Sequence, residues 1–184
     1  MSEPGSTKRD QPRDYRDAVA VGESISLRPI GVVRSPYTER HGTPRQAQLD
    51  DAESPEVDAW IEIDPEQIPV EALGDLDGFD RIWVIAHLHL NPSWAPRVRP
   101  PRGNGPRRGI FSTRSPHHPN HIGLSACGLV RVEGHRIYLR DVDLIDGTPV
   151  LDIKPYVPYC DAFPESDAGW VDEVARGQRD DGAG

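Results

Sequence analysis

Six arginines, Arg97, Arg99, Arg102, Arg107, Arg108 and Arg114, fall within residues 97–114 with no acid among them. The net charge of the chain is -9, so the remainder carries -15 against +6 in this stretch. A split of that degree is not needed for solubility and is the footprint of a site for phosphate or carboxylate. Pro100, Pro101, Gly103, Gly105 and Pro106 make the segment a loop able to drape over a ligand. The next residues, Ser112 to Gly123, hold His117, His118 and His121, and His87 and His89 alternate along a strand candidate. Histidine clusters can ligate metal. No nearby carboxylate follows His87 and His89, and Pro119 constrains the loop between His118 and His121. A structural or substrate-contact role is therefore the preferred reading, with no metal site expected.

Two more segments carry chemistry. In His41-Gly42-Thr43-Pro44-Arg45-Gln46 a proline-fixed backbone sets a guanidinium beside an amide. Arginine can fork onto a carboxylate, and glutamine can read an adenine edge or a ribose hydroxyl. Taken alone, the triplet reads as a surface loop. Asp143, Asp146 and Asp152 collect at strand ends, where binding residues gather. Asp152, Lys154 and Tyr156 alternate along one side of an extended segment, which makes either a proton-transfer row or a salt-bridged edge.

The elements that position these residues are short strands. Hydrophobic residues make up 36%, with 17 glycines and 19 prolines, a composition that favours strands and turns over long helices. Strands are predicted over Ile25 to Arg34, Trp60 to Ile63, Arg81 to Leu90, Ile122 to Val132, His135 to Leu144 and Pro149 to Ile153. Glu133-Gly134 and Asp146-Gly147 read as tight turns, so the last three strands are expected to form a meander. One short helix is expected at Val70 to Leu76, and a helical turn near Trp170 to Ala175. No GxGxxG or Walker glycine loop follows a strand, which argues against a Rossmann or P-loop nucleotide site. The expected fold is all-β, a small antiparallel β-barrel with short helices. Residues 1–23 are expected to be a disordered arm, 24–175 the folded domain and 176–184 a flexible tail.

The acidic balance argues against general nucleic-acid or membrane affinity, though not against a local basic patch. Cys127 and Cys160 have no paired spacing, so idle thiols are expected rather than a disulfide or zinc framework. The polar N-terminus has no apolar secretory segment, and no stretch is long enough to span a bilayer. A cytoplasmic location is the expectation.

Read together, these segments resemble the TsaA-like family, whose best-known member is a tRNA adenine-N6 methyltransferase. The matching pieces are IGVVRSPY (Ile30 to Tyr37), PRQ (Pro44 to Gln46), the strand around Trp83 and VRPPRG (Val98 to Gly103). GIFSTRSP (Gly109 to Pro116), PNHIGLS (Pro119 to Ser125) and DLIDGTPVLDIKPY (Asp143 to Tyr156) continue the series. The resemblance covers about Ile25 to Pro164, in the family's order.

It implies a β-barrel that binds S-adenosylmethionine (SAM), commonly as a homodimer with sites near the subunit contact. It also implies methylation of N6 of threonylcarbamoyl-adenosine beside the anticodon of tRNA. Carried over by position, the SAM contacts would be Pro44, Arg45, Gln46, His89, Leu90, Arg114, Leu124, Asp143, Leu144, Ile145 and Asp146. Asp152 and Tyr156 are the candidates for the base. Arg97, Arg99, Arg102, Arg107 and Arg108, with His118 and His121, would hold the substrate. One departure stands out: the family usually reads RPNPIG where this chain reads His118-Pro119-Asn120-His121-Ile122-Gly123. A fixed cation is replaced by a histidine, neutral for much of the time at pH 7. That change favours an alternative reading, a SAM-dependent methyltransferase of a small molecule or another non-tRNA acceptor.

Overall fold

The strict alternation of Ala59–Ile63 puts Ala59, Ile61 and Ile63 on one face, each at most 1% exposed, with Trp60 and Glu62 on the other. The same period sets Val33 inward from β1 (Gly31–Arg34), which pairs antiparallel with this strand, β2. The computed structural model describes residues 24–39, 43, 59–101 and 105–181, without the side chains of 176–181. The other strands are β3 (Arg81–His87), β4 (Arg97–Val98), β5 (Arg108–Gly109), β6 (Ile122–Glu133), β7 (Arg136–Arg140) and β8 (Pro149–Pro155). Six of them close a barrel in the order β1-β2-β7-β6-β3-β8, while β4 and β5 form a separate two-stranded hairpin. The fold is thus the expected small antiparallel β-barrel. Its core is Val33, Ile61, Ile63, Ile82, Val84, Cys127, Ile137, Leu139 and Val150 with their neighbours. Each such aliphatic side chain contributes about 1.5–3 kcal/mol relative to exposure.

Closure depends on three local features. A Cβ at Gly31 would lie 2.4 Å from the Glu62 carbonyl oxygen, so only glycine lets β1 approach β2 this closely. The β3–β8 register shifts after Ile85, with Leu151 as the extra residue, and the β6–β7 register shifts at Val130. Bulges of this kind bend strands and raise their twist, as a small barrel needs. Strand β6 serves two neighbours, pairing with β3 over Ile122 to Gly128 and with β7 from Gly128 to Glu133.

The structure corrects the expected meander. Strand β6 turns into β7 through Gly134 at φ 56, but β8 lies between β3 and β1 and does not pair with β7. Strand β7 also stops at Arg140, short of Leu144, because Asp141 takes the left-handed conformation at φ 59. Val142 and Leu144 are then buried to 1% and 5%, so the chain crosses the barrel mouth as a plug rather than turning back. The first strand is shorter than expected for a different reason. Pro29 has no N–H to give a ladder, and Ile25 and Leu27 are 80% and 61% exposed. The expected helix at Val70 is two 3-10 turns, Val70–Leu73 and Leu76–Gly78, split by Asp75 at φ 62. Two α-helices follow the barrel, α1 (Pro158–Asp161) and α2 (Trp170–Asp181). The latter runs beyond the single turn read from the sequence into the expected tail, through Ala175, Arg176, Gln178 and Arg179, which favour helix. Cys127 lies inside the barrel and Cys160 on the surface, and neither forms a disulfide. Among the described residues no helix is long and apolar enough to cross a membrane.

Candidate cofactor and substrate site

The end of β3 and the start of β6 make a corner that gathers part of the expected site. His87 pairs with Ile122, and the Leu88 N–H donates to the His121 carbonyl at 2.8 Å. Gly123 accommodates the Leu88 side chain, whose Cδ2 would sit 2.9 Å from a Cβ there. The chain leaves β3 in a turn in which the His89 N–H donates to the His87 carbonyl. His87 and His89 therefore do not share a strand face, contrary to the alternation read from the sequence. Leu90, Ile122 and Leu124 remain 63%, 47% and 53% exposed at this corner, apolar surface without a described cover.

Residues 110–121 are laced to the loop after β3. The Asn91 side-chain amide donates to the Pro116 carbonyl, and the Ala95 N–H to that of His117 at 3.2 Å. His117 Nδ1 lies 3.3 Å from the Ser93 carbonyl and His118 Nε2 lies 3.0 Å from that of Thr113. Two histidines are thus engaged with backbone oxygens. His121 takes φ 50, and its buried Nε2 has no hydrogen-bond partner among the described residues. Among the described residues no group of three or more His, Cys, Asp and Glu is arranged to hold a metal. Arg114, in the same laced segment, is exposed and makes no hydrogen bond or ion pair among the described residues. It is a cation available to an anionic ligand.

The mouth-crossing segment carries the acids. Ser125, next to Leu124 on β6, donates its hydroxyl to Asp143 Oδ1 at 2.6 Å. The Ser35 hydroxyl donates to the Leu144 carbonyl at 2.8 Å, and the Thr148 hydroxyl to that of Ile145 at 2.6 Å. Asp146 accepts from the Ser35 N–H at 3.2 Å, and its own N–H reaches the Tyr37 carbonyl at 2.7 Å. Gly147 supplies the turn at φ 76. Ser125 thus ties Asp143 to the inner face of β6 while Leu124 faces outward from the same strand, and Asp143 to Asp146 are held by β1, β6 and the turn.

The described part of the arginine segment is tied down rather than draped. Arg97 donates to the Arg107 carbonyl at 2.7 Å and Arg107 to the Arg97 carbonyl at 2.8 Å, so the two guanidiniums clasp the β4–β5 hairpin. Arg108 stacks over Trp170 at 5.3 Å and pairs with Glu173 at 3.6 Å. The Trp170 indole N–H donates to the Ser112 carbonyl at 2.8 Å, fastening α2 to the stretch that leads into Arg114. Sequence reading missed Trp170, which lies 58 residues from Ser112 and carries no local signal. Arg99 is exposed. Pro44, Arg45, Gln46 and Arg102 lie outside the described residues.

Asp152 and Tyr156 part company. Asp152 pairs with Lys154 at 2.8 Å and accepts the Ile153 N–H at 2.9 Å. It faces Ile85, whose other neighbour is Leu124. Two strand spacings place these residues about 10 Å apart. Tyr156 packs on Trp83 at 5.4 Å, and its N–H meets the Arg81 carbonyl at the opposite end of β3. Strand rise puts that end about 20 Å from His87, so Tyr156 does not reach the corner. Two open clefts, of about 350 and 510 Å³, lie along β1, β2 and β7 around Glu62 and Ile63 and include none of the expected residues.

Comparison with known proteins bears on this arrangement. A 43% identical relative over 150 residues is the "Putative S-adenosylmethionine-dependent methyltransferase RcsF" of Pseudomonas aeruginosa, covering 80% of this chain and 63% of that protein. The tRNA (adenine(37)-N6)-methyltransferase of Escherichia coli K12 is 38% identical over 155 residues, 80% of this chain and 64% of its own. The crystal structure of TrmO from Pseudomonas aeruginosa superposes with a TM-score of 0.68 at 38% identity, covering 81% of this chain and 63% of that one. The chain therefore spans a little over six tenths of the length of these relatives. Residues 32–162 match the family model of the tRNA-methyltransferase O N-terminal domain, and the chain belongs to that family.

Proposed function

We propose that this chain is a SAM-dependent methyltransferase that methylates N6 of threonylcarbamoyl-adenosine beside the anticodon of tRNA. One observation carries the reading: Arg114, exposed and uncommitted among the described residues, lies in the segment that leaves the arginine hairpin and is laced to the loop after β3 that carries exposed Leu90. The chemistry of these residues fits SAM. Arg114 suits the methionyl carboxylate, Leu90 and Leu124 suit an adenine face, and Asp143 with Asp146 suits the ammonium or the ribose hydroxyls. Leu144 and Ile145 complete that wall, with His89 beside Leu90; Pro44, Arg45 and Gln46 belong to the same set by family position. When bound, the sulfonium supplies an electrophilic methyl group.

The protein's contribution is to orient the acceptor and to manage one proton. N6 of the modified adenosine is urea-like, its lone pair delocalised, so a base must take its proton. Asp152, paired with Lys154 at 2.8 Å, is the base favoured by position, and Tyr156 is the second candidate, set apart by its distance. Arg97, Arg99, Arg102, Arg107 and Arg108 bind anticodon-loop phosphates and the threonyl carboxylate, beside His118 and His121. The protein works as a homodimer in the cytoplasm.

The second reading, a small-molecule or other non-tRNA acceptor, is favoured by His118, whose Nε2 is engaged with Thr113 where the family usually has an arginine. Methyl-labelled SAM, offered with total tRNA and with the small-molecule fraction of a strain lacking the gene, separates the two. Label on threonylcarbamoyl-adenosine, located by nucleoside mass spectrometry, is the expected result. Label only in the small-molecule fraction would overturn the tRNA reading.

A further inference from the structure

Two of the largest apolar side chains in the molecule stand in water beside the arginine hairpin. Phe111 is 80% exposed and Trp94 is 53% exposed. They are neighbours through the backbone: the Ile110 N–H donates to the Pro96 carbonyl at 3.0 Å, and the Ala95 N–H to that of His117 at 3.2 Å. Phe111 is fixed edge-on to His118 at 5.7 Å between centroids, and His118 is itself held by the Thr113 carbonyl. Both backbones are therefore rigid while both rings face outward. Burial would have stabilised each ring by a few kcal/mol, so leaving both exposed on an ordered frame calls for an occupant.

The surroundings identify that occupant. Arg97, Arg99, Arg107 and Arg108 lie in the adjoining hairpin with no acid in the segment, and Glu173 is the one described acid paired to it. Exposed aromatic rings within a basic surface suit unpaired nucleobases, because each base offers a π-face and each nucleotide a phosphate. A paired helix hides its base faces, so duplex RNA gains nothing from the rings. We infer that Trp94 and Phe111 form a stacking platform for bases of an unpaired RNA loop, with the arginine hairpin tracking its phosphates. This inference rests on the tRNA reading proposed above and adds to it the residues that distinguish loop from stem.

The test uses the full chain, a synthetic stem-loop RNA and a fully paired duplex of matching composition. Trp94→Ala and Phe111→Ala are each expected to weaken stem-loop binding roughly 10-fold while leaving duplex binding unchanged. Trp94→Tyr and Phe111→Tyr are expected to restore most of the loss. SAM affinity and the sedimentation coefficient of each variant should match wild type, which shows that the fold and the assembly state survive. Stem-loop binding that withstands both alanine substitutions overturns the platform alone. A change in sedimentation with unchanged RNA affinity also overturns it and assigns the rings to a protein contact. Failure of the wild-type chain to bind the stem-loop overturns the tRNA reading itself.

Discussion

Replacing Arg81 tests how the acid-bearing segment is held across the barrel mouth. Arg81 Nη2 donates to Asp141 Oδ2 at 2.8 Å, and Nη1 donates to the Ala126 carbonyl at 3.0 Å. The Asp141 side chain is 7% exposed and that of Arg81 22%. Arg81→Met keeps most of the aliphatic stem and leaves a buried carboxylate whose nearest remaining cation is Arg140 Nε at 3.9 Å. Breaking a buried pair from the cation side costs about 3 kcal/mol, because the carboxylate cannot reach water. The converse change is milder. Asp141→Asn tolerates the left-handed φ of 59, keeps an oxygen for the guanidinium and leaves a cation that can reach solvent. Its expected cost is about 1 kcal/mol. Urea unfolding of both variants reads the order directly. A loss below about 1 kcal/mol for Arg81→Met, or a larger loss for Asp141→Asn, would refute the claim that this bridge is buried and one-sided.

Arg114→Ala should weaken SAM binding by about 1.5–3 kcal/mol in calorimetry, the value of a charge-assisted bond to a carboxylate, and unchanged affinity removes Arg114 from the site. Trp170→Phe removes the indole N–H that reaches Ser112 and shrinks the ring beneath Arg108. Hydrogen exchange at residues 108–114 should accelerate about 5-fold, in line with a bond worth about 1 kcal/mol, while exchange in β3 and β6 stays as before. Gly31→Ala places a methyl group 2.4 Å from the Glu62 carbonyl oxygen. Thermal unfolding should show a loss of about 1–3 kcal/mol, and a neutral result would mean that β1 and β2 can part without opening the barrel.

The strands were legible because a half-buried strand writes its two faces into the sequence. Ala59–Ile63 and Arg136–Arg140 alternate in the residues and again in their burial. Strand order was not legible, since alternation names a face and not a neighbour. Val142 and Leu144 alternate with Asp143 as a strand would, yet Asp141 turns the chain into the mouth and the two apolar residues become a plug. In the site, charge segregation exposed the arginine segment. The clasp between Arg97 and Arg107 was hidden, because it joins guanidiniums to carbonyls, and every residue has a carbonyl. Tyr156 shows what alternation leaves open: it continues the row of Asp152, but it lies at the Trp83 end of β3, away from the corner.

The histidine departure gains a physical meaning from the backbone. The family usually places proline where this chain has His121, and His121 sits at φ 50. A proline ring holds φ near −65°, so that residue cannot occupy this conformation, and it lacks the N–H that His121 donates to the His118 carbonyl at 3.1 Å. The loop at His121 therefore takes a local path that a proline there would not permit. His121→Pro should cost about 2 kcal/mol or more, from the lost bond and the forbidden φ, whereas His121→Asn, which tolerates the left-handed region, should stay within about 0.5 kcal/mol of wild type. Urea unfolding measures both. If His121→Pro is as stable as wild type, the loop can take the family's path, and the histidines are tolerated variation with no bearing on the acceptor. If it is destabilised while His118→Arg with His121→Pro recovers stability, the two positions act together. The acceptor assay on that double variant then tells whether the loop's path or its charge selects the substrate.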